Sequence, residues 1–539
     1  MTSSLCWYPP DLPPGTVGSR RQSPDGATIS RLAGVLAGRK PALAAIPLDR
    51  IVQVLHEASL AWMDIRNPGI RHTLERIARS TGMSMPMVER ATVHEMESSL
   101  APDLMAAIRN EIGNPDYLDG FAYNPHSDGM TIAVGPKLVG GIVSSNIPAL
   151  PHLTVMRSLI VKAPCIVKTS VSEPDFLPAY VQTLHEIDPE VARCVAVVSF
   201  GREDEEALQA FLASVDFLIA YGGREAMEAL RAKKPARLRA LLHGHRLGFA
   251  LVAGSELRKA LEGGGYRSPG SGGSPDRMPG ATGTGLRSAV GRYLSAPGGR
   301  PAGAGLEQIL DAGREALGLV GVGSLELPLA LAYDAVLFDQ EACLAPHVIF
   351  VEGTFDQACG LAERIAGRME RLADDLPPGT RTLAQRLSVR QELDMLALDG
   401  RSRVFFAGSI ERGIVAVQEC EVFRPSPLGR FVRVVPVPDL LRALEHVAPL
   451  GDLLQNAAVA APDDRRPVLE RALADLGVCR ICPPGNMGTP TMMWHHDGHP
   501  CISAMLRFCD AETRGGMHKR LLARRAGAGA AARLKKLIG

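Results

Sequence analysis

Cys343 lies in the run Tyr333-Asp-Ala-Val-Leu-Phe-Asp-Gln-Glu-Ala-Cys-Leu-Ala-Pro-His347, where apolar Ala335 to Phe338 gives way to three polar residues and then a thiol ahead of Pro346. The pattern predicts a buried strand with the sulfur in the loop just past it, the place where a nucleophile works. A buried structural cysteine is the competing reading. Lys168, Thr169 and Ser170 close another apolar run, Cys165 to Lys168. A lysine at a strand's end can reach a ribose hydroxyl or a phosphate, or simply be solvated. Gly222 and Gly223 end a third run, Phe217 to Tyr221, and Asn146 precedes Ile147-Pro148, where a turn-forming asparagine also fits. Imidazole ordinarily titrates near neutrality, so His243 and His245 suit proton transfer as well as a helix cap or core edge. Cys479-x-x-Cys482, with His495, His496, His499 and Cys501, has the residue types of a structural zinc site. One cysteine pair is not the doubled pair such sites use, so no metal is expected.

Four segments in order give these residues a context. The Cys343 run resembles the catalytic-cysteine segment of the aldehyde dehydrogenase superfamily, and more closely that of the long-chain acyl-CoA reductases of the LuxC family. Gly140-Gly-Ile-Val-Ser-Ser-Asn-Ile-Pro148 is similar to the loop that supplies an oxyanion-hole asparagine. Ala163-Pro-Cys-Ile-Val-Lys-Thr-Ser-Val-Ser-Glu-Pro174 resembles the strand and lysine that hold the adenosine ribose, and Glu421-Val-Phe-Arg-Pro425 the Glu-x-Phe-Gly-Pro motif at the nicotinamide ribose. Gly477 to Ile481 and Trp494 to Gly498 resemble the acyl-CoA reductase branch in particular. The likeness runs from about Ile46 to Glu512.

The resemblance implies NADPH-dependent reduction of a long-chain fatty acyl-CoA, or other acyl thioester, to the aldehyde. Cys343 would carry the acyl group, with Asn146 and the Cys343 N–H holding the oxyanion. His243 or His245 would assist proton transfer. Lys168, Ser170, Val171, Gly222, Gly223, Glu421 and Phe423 would line the cofactor site. Val171 stands where the superfamily's Lys-x-x-Glu-x-x-Pro has its glutamate, and loss of that carboxylate removes repulsion against a 2′-phosphate, which favours NADPH. Leu242-His-Gly-His-Arg-Leu-Gly248 replaces the Glu-Leu-Gly-Gly-Lys segment and holds no carboxylate to activate water, so the acyl-enzyme is expected to wait for hydride. Aldehyde oxidation and a non-catalytic acyl acceptor are the alternatives. The likeness also implies an acyl-activating synthetase partner, in a homo-oligomer or a hetero-complex. Phe121 to Val134 and the chain beyond Val478 are expected at the subunit contact.

These residues need an α/β scaffold to position them. Short apolar runs alternate with helical patterns from Leu48 onward, which predicts a parallel sheet covered on both faces. The expected fold is aldehyde-dehydrogenase-like: a Rossmann-like cofactor domain over 46–250 with a strand-containing flap near 121–136, and an α/β catalytic domain over 251–440. A segment over 441–512 is expected to return to the cofactor domain and subunit interface. No Gly-x-Gly-x-x-Gly follows a strand, so an ordinary dinucleotide fingerprint is not expected. Residues 1–45 read as a disordered tail, Gly263 to Gly305 as a flexible Gly/Pro-rich insertion, and 513–539 as a basic tail. The 539 residues carry a net charge of +1, which gives no basis for nucleic-acid binding. Ten cysteines without framework spacing point to reduced thiols. With no apolar stretch of membrane length and no signal peptide, the cytoplasm is the expected location.

Overall fold

The computed structural model describes residues 6–20, 22–264, 326–419 and 422–512. Fifteen strands among them fall into three sheets, and the helices cover the sheet faces. A small sheet is made of β1 (Ala122–Asn124), β2 (Gly129–Val134) and, from the far end of the chain, β15 (Arg507–Ala511), in the order β1-β2-β15. The second sheet contains β3 (Val139–Ile142), β4 (Cys165–Lys168), β5 (Val195–Val198), β6 (Phe217–Tyr221) and β7 (Arg239–His243), all parallel, in the order β5-β4-β3-β6-β7. The third contains β8 (Leu247–Val252), β9 (Pro346–Glu352), β10 (Ser402–Ala407), β11 (Ser409–Gln418), β12 (Phe431–Val437), β13 (Leu454–Ala460) and β14 (Arg480–Cys482), in the order β10-β11-β12-β9-β8-β13-β14. Only the edge pair β10–β11 is antiparallel there. Val195–Val198 and Phe217–Tyr221 are buried at every position, as strands covered on both faces must be, and their unbroken apolar runs follow from that.

In the five-stranded sheet the chain moves outward from β3 through β4 to β5, then crosses back to place β6 on the other side of β3. The order reverses at β3 and β6, and ligand crevices in such sheets open at the carboxyl ends of the strands at that point. The loops that leave those ends start at Val143, Thr169, Ser199, Gly222 and Gly244.

Four expectations are corrected. Residues 6–20 and 22–45 are ordered: Trp7 exchanges backbone hydrogen bonds with Val197 at the edge of β5, and the helix Gly26–Gly38 packs on the helix Glu205–Ser214. A buried Ile29-Leu32-Ala33-Leu36 face holds that helix, although the proline-rich residues ahead of it hide the signal. The boundary between the two large sheets falls between His243 and Leu247 rather than at 250. Residues 441–482 stay with the second large sheet as β13 and β14, and the return to the first domain comes only after them, through Asp497 on His243, Cys501 to Ser503 on Glu111, and β15 paired with β2. Finally, Ala335 to Phe338 is no strand: the helix Leu327–Val336 runs into a 3-10 turn, Leu337–Gln340. The burial was read correctly, but a short apolar run does not distinguish a buried helix end from a strand. Gly265 to Gly305 of the expected insertion, the basic tail and Glu421 lie outside the described residues.

Candidate active site

Just ahead of Cys343, Phe338, Asp339 and Gln340 all adopt left-handed backbone, with φ of 56°, 51° and 66°. For L-residues this conformation costs roughly 1–2 kcal/mol each. Side chains from distant segments hold the turn. The buried Gln340 amide donates to the carbonyls of Pro346 (2.7 Å) and Phe431 (2.8 Å) and accepts from Phe431 N (2.8 Å). Asp339 pairs with the fully buried Arg430 at 2.7 Å and accepts from Gly379 N at 3.1 Å. On the far side of the sulfur, Asn456 Nδ2 donates to Leu344 O at 3.0 Å. The thiol is therefore mounted on a strained turn pinned on both flanks.

Asn146 reaches this turn from the loop after β3. Its Nδ2 donates to Glu341 O at 3.2 Å, while Ser144 Oγ donates to Oδ1 at 2.7 Å and so fixes which way the amide faces. One N–H of the amide is used on the cysteine loop and the second is left for a ligand. Glu341 itself is tied to Gln385 Nε2 at 2.9 Å, and burial raises its carboxyl above the ordinary value.

A second group, from β7, β13 and the C-terminal segment, gathers on Asp497. Asp497 Oδ2 lies 2.8 Å from His243 Nδ1, and its Oδ1 accepts from Gln455 Nε2 at 2.6 Å. Burial pushes the Cys343 thiol up to about 12, and the nearby Asp497 carboxylate pushes the same way against the Gln455 amide and Arg246. Asp497 is held down at about 2, because the hydrogen bond from His243 and the charges of His496, His243 and Arg246 outweigh its own burial. His243 is lowered by desolvation against the pull of Asp497. Burial and the neighbouring carboxylate both favour the protonated thiol over the thiolate. The Leu242–Gly248 segment holds no carboxylate, as read; the carboxylate bonded to His243 is Asp497, from more than two hundred residues downstream.

The other candidates lie along the same strand ends or beyond them. Lys168 ends β4, with its ammonium 4.9 Å above the Phe200 ring and a hydrogen bond to Thr169 O at 3.4 Å. Desolvation and Arg202 lower it, against Glu203. Ser170 Oγ donates to Ser145 Oγ at 3.3 Å, and Val171 is 55% exposed, a large apolar side chain facing solvent. Gly222 follows β6 and Gly223 caps the helix Arg224–Lys233. His245 is exposed and meets the His347 ring edge-on at 6.4 Å, outside the Asp497 group. Phe423 is half-buried against Phe350. The Cys479 and Cys482 sulfurs take different partners, Gly477 O and Asn456 Oδ1. Among the described residues the one cluster with metal-ligating atoms close together is instead His243, His496 and Asp497.

Gln455 was not singled out by sequence. Its signal is a Gln-Asn pair inside the otherwise apolar run Leu454 to Ala460, two polar residues at fully buried positions of a central strand. Such groups persist only when hydrogen-bonded to something specific. Asp497 lies in the Trp494 to Gly498 segment, and its partnership with His243 leaves no mark at the level of spacing.

Two layers of sheet and helix, a cysteine turn between them and an asparagine reaching it from the first sheet define an aldehyde-dehydrogenase-like α/β enzyme scaffold. The chain aligns with a benzaldehyde dehydrogenase of Corynebacterium glutamicum over 92% of each chain at a TM-score of 0.59 and 12% identity. Aldehyde dehydrogenase 21 of Physcomitrella patens matches over 91% of each at 0.61 and 11% identity. The acyl-CoA reductase (LuxC) family pattern matches residues 43–262 and 324–508, and the chain belongs to that family. The break in the match contains the whole of the Gly/Pro-rich stretch, Gly263 to Gly305. A long-chain acyl-protein thioester reductase of Photorhabdus luminescens is 21% identical over 211 residues, 38% of this chain and 44% of that one. The aligned part is thus less than half of that relative's length. Among the described residues no helix is long and apolar enough to cross a membrane.

Proposed function

We propose that the protein reduces a long-chain acyl thioester to the aldehyde through an acyl-Cys343 intermediate. One observation carries this reading: the Asn146 amide, oriented by Ser144, is hydrogen-bonded into the Cys343 turn at the mouth of the five-stranded sheet. The sulfur attacks the acyl carbonyl, the spare Asn146 N–H and the Cys343 N–H receive the developing oxyanion, and the donor's thiolate departs. The relative's name gives an acyl-protein thioester as donor; fatty acyl-CoA presents the same carbonyl.

A nicotinamide cofactor, when bound, supplies hydride to the acyl-enzyme. The residues at the carboxyl edge fit such a group: Lys168 has ammonium donors to spare, Ser170 lies beside it, and the exposed Val171 offers no carboxylate against a 2′-phosphate. NADPH is favoured on that ground. Gly222, Gly223, Glu421 and Phe423 complete the proposed cofactor residues. Asp497 is too acidic to take a proton from water efficiently, which supports reduction over hydrolysis.

The exposed Tyr123 and Phe508 on the three-stranded sheet, with Phe121 just ahead of it, support its reading as the contact with a second subunit or an acyl-activating synthetase. A cytoplasmic location belongs to the same reading. The test is NADPH oxidation with a panel of long-chain acyl thioesters, with trapping of the aldehyde. Aldehyde formed in step with NADPH consumed is expected; acid formed from free aldehyde, with no reductive turnover, overturns the reading.

A further inference from the structure

A cavity of about 390 Å³ lies between the helix Leu383–Asp399, the loop Gly379 to Arg381 ahead of it and the start of β11. That volume falls in the range of small-molecule sites, about 300–1,000 Å³. Arg386 and Arg390 stand one turn apart on the helix and share the cavity with Arg381 of the loop. Val389 and Leu393 of the helix, with Ile410 of β11, supply the apolar part of the lining. Among the described residues Glu411 is the one carboxylate there.

The three cations outnumber the anions beside them. Arg390 pairs with Asp394 at 3.0 Å on an exposed stretch of the helix, whereas the exposed Arg386 forms no ion pair among the described residues. Arg381 Nη2 donates to the carbonyls of Ile410 and Glu411, both at 3.1 Å, and to that of Gly429. Its planar group is thus fixed by the backbone, with no carboxylate bonded to it among the described residues. Desolvation lowers Arg381 from the ordinary guanidinium value, against the pull of Glu411 and Asp339. A guanidinium held in place presents paired donors that match the oxygens of a phosphate.

The cavity wall is fastened to the cysteine turn. Gly379 N–H donates to Asp339 Oδ2 at 3.1 Å, and Gln385 Nε2 donates to Glu341 Oε1 at 2.9 Å. A Cβ on Gly379 would come within 2.6 Å of Gly82 O and 2.9 Å of that same Asp339 oxygen, so the approach requires glycine. Glu341 precedes Cys343 by two residues, a span of at most about 7 Å. Asn146 holds the same Glu341 by its backbone carbonyl, from the loop after β3. Lys168 and Ser170, the candidate cofactor residues, line none of the cavity. We propose that this arginine cavity receives the phosphate groups of the acyl donor, a phosphorylated pantetheine thioester whose carbonyl reaches Cys343. The inference rests on the acyl-transfer reading above. An extended pantetheine arm is longer than the span from Glu341 to Cys343, so phosphates held by the arginines leave the thioester free to enter the turn. The apolar lining suits the pantetheine methyl groups next to the phosphate. Coenzyme A and the phosphopantetheine of a carrier protein share this chemistry.

The test compares the full chain with a variant carrying both Arg386→Gln and Arg390→Gln, on two donors. One is a long-chain acyl-CoA; the other is the N-acetylcysteamine thioester of the same acid, which keeps the reacting carbonyl and lacks phosphate. The variant should raise KM for acyl-CoA by roughly ten- to a hundredfold with kcat kept, because binding is lost equally in ground and transition states. KM for the phosphate-free thioester and the NADPH dissociation constant stay as in the wild type. Lysine at both positions recovers part of the loss, since the charge remains without the planar fork. An unmoved KM for acyl-CoA, an equal rise for both thioesters, or weakened NADPH binding in place of the acyl-CoA effect overturns the proposal. Calorimetric titration with free coenzyme A and with 4′-phosphopantetheine reads the cavity without turnover. Binding of either one that weakens in the variant supports the site and shows which phosphates it takes, and no binding of either to the wild type overturns it. A wild type that binds coenzyme A through these arginines but reduces neither thioester contradicts the acyl-reduction reading instead.

Discussion

The two sides of the crevice are built differently. Around the sulfur, Cys343, Asn146, Gln340, Asp339, Gln455 and Asp497 are tied by hydrogen bonds from segments far apart in sequence, and part of the backbone is strained. Across the strand ends, Lys168 rests on a ring and one carbonyl, Ser170 touches one hydroxyl, and Val171 faces solvent. Bond-making atoms require placement to a fraction of an ångström, which a protein achieves by over-determining a few side chains. A dissociable cofactor needs a surface it can leave. Substitutions on the first side should therefore cost structure as well as rate, and those on the second should change binding alone.

The largest expected effect is on stability. Arg430→Met leaves Asp339 without its partner inside the cysteine turn, and breaking such a pair costs about 3–5 kcal/mol. Urea unfolding should register the loss. A variant as stable as the wild type would mean the strained turn does not depend on that pair. Next comes Asn146→Ala, where loss of an oxyanion donor should lower kcat by roughly 10²–10³-fold, with cofactor affinity retained. A fall confined to KM would place the amide in ground-state binding.

Val171→Glu probes the open side. Restoring a carboxylate should weaken NADPH by roughly ten- to a hundredfold relative to NADH, since hydrogen bonds to charged groups contribute about 1.5–3 kcal/mol. Isothermal titration that shows both dissociation constants moving together would remove the 2′-phosphate from this residue's vicinity. A further effect belongs to neither side. Glu95 is buried and its carboxyl is raised to about 8 from an unfolded value near 4.5. Its folded form binds the proton more tightly, so stability falls as pH rises from 4.5 through 8. Glu95→Gln should flatten that decline, and thermal melts at pH 5 and pH 9 that keep the wild-type slope would contradict it.

Most of the first side's partners were invisible in the sequence, whereas most of the scaffold was not. Parallel strands buried on both faces write themselves as short apolar runs, and β3 to β6 lie where those runs predict them. Lys168 and His243 are the last residues of β4 and β7, and Asn146 lies four residues past the end of β3. The turn carrying Cys343 could not be placed, since a buried helix end and a buried strand share one composition and three consecutive left-handed residues have no glycine to betray them. The Asp497–His243 contact joins residues 254 positions apart, and no local period encodes it. His245 shows the converse: next but one to His243, it turns outward and joins a different ring.

The central claim is that Cys343 carries the acyl group, and intact-mass analysis after mixing the protein with a long-chain acyl-CoA in the absence of cofactor tests it most directly. The account predicts a single hydroxylamine-sensitive adduct that maps to Cys343 and vanishes in Cys343→Ala, with NADPH binding unchanged. An adduct mapping to Cys359 or Cys420, or one that persists in Cys343→Ala, would contradict it.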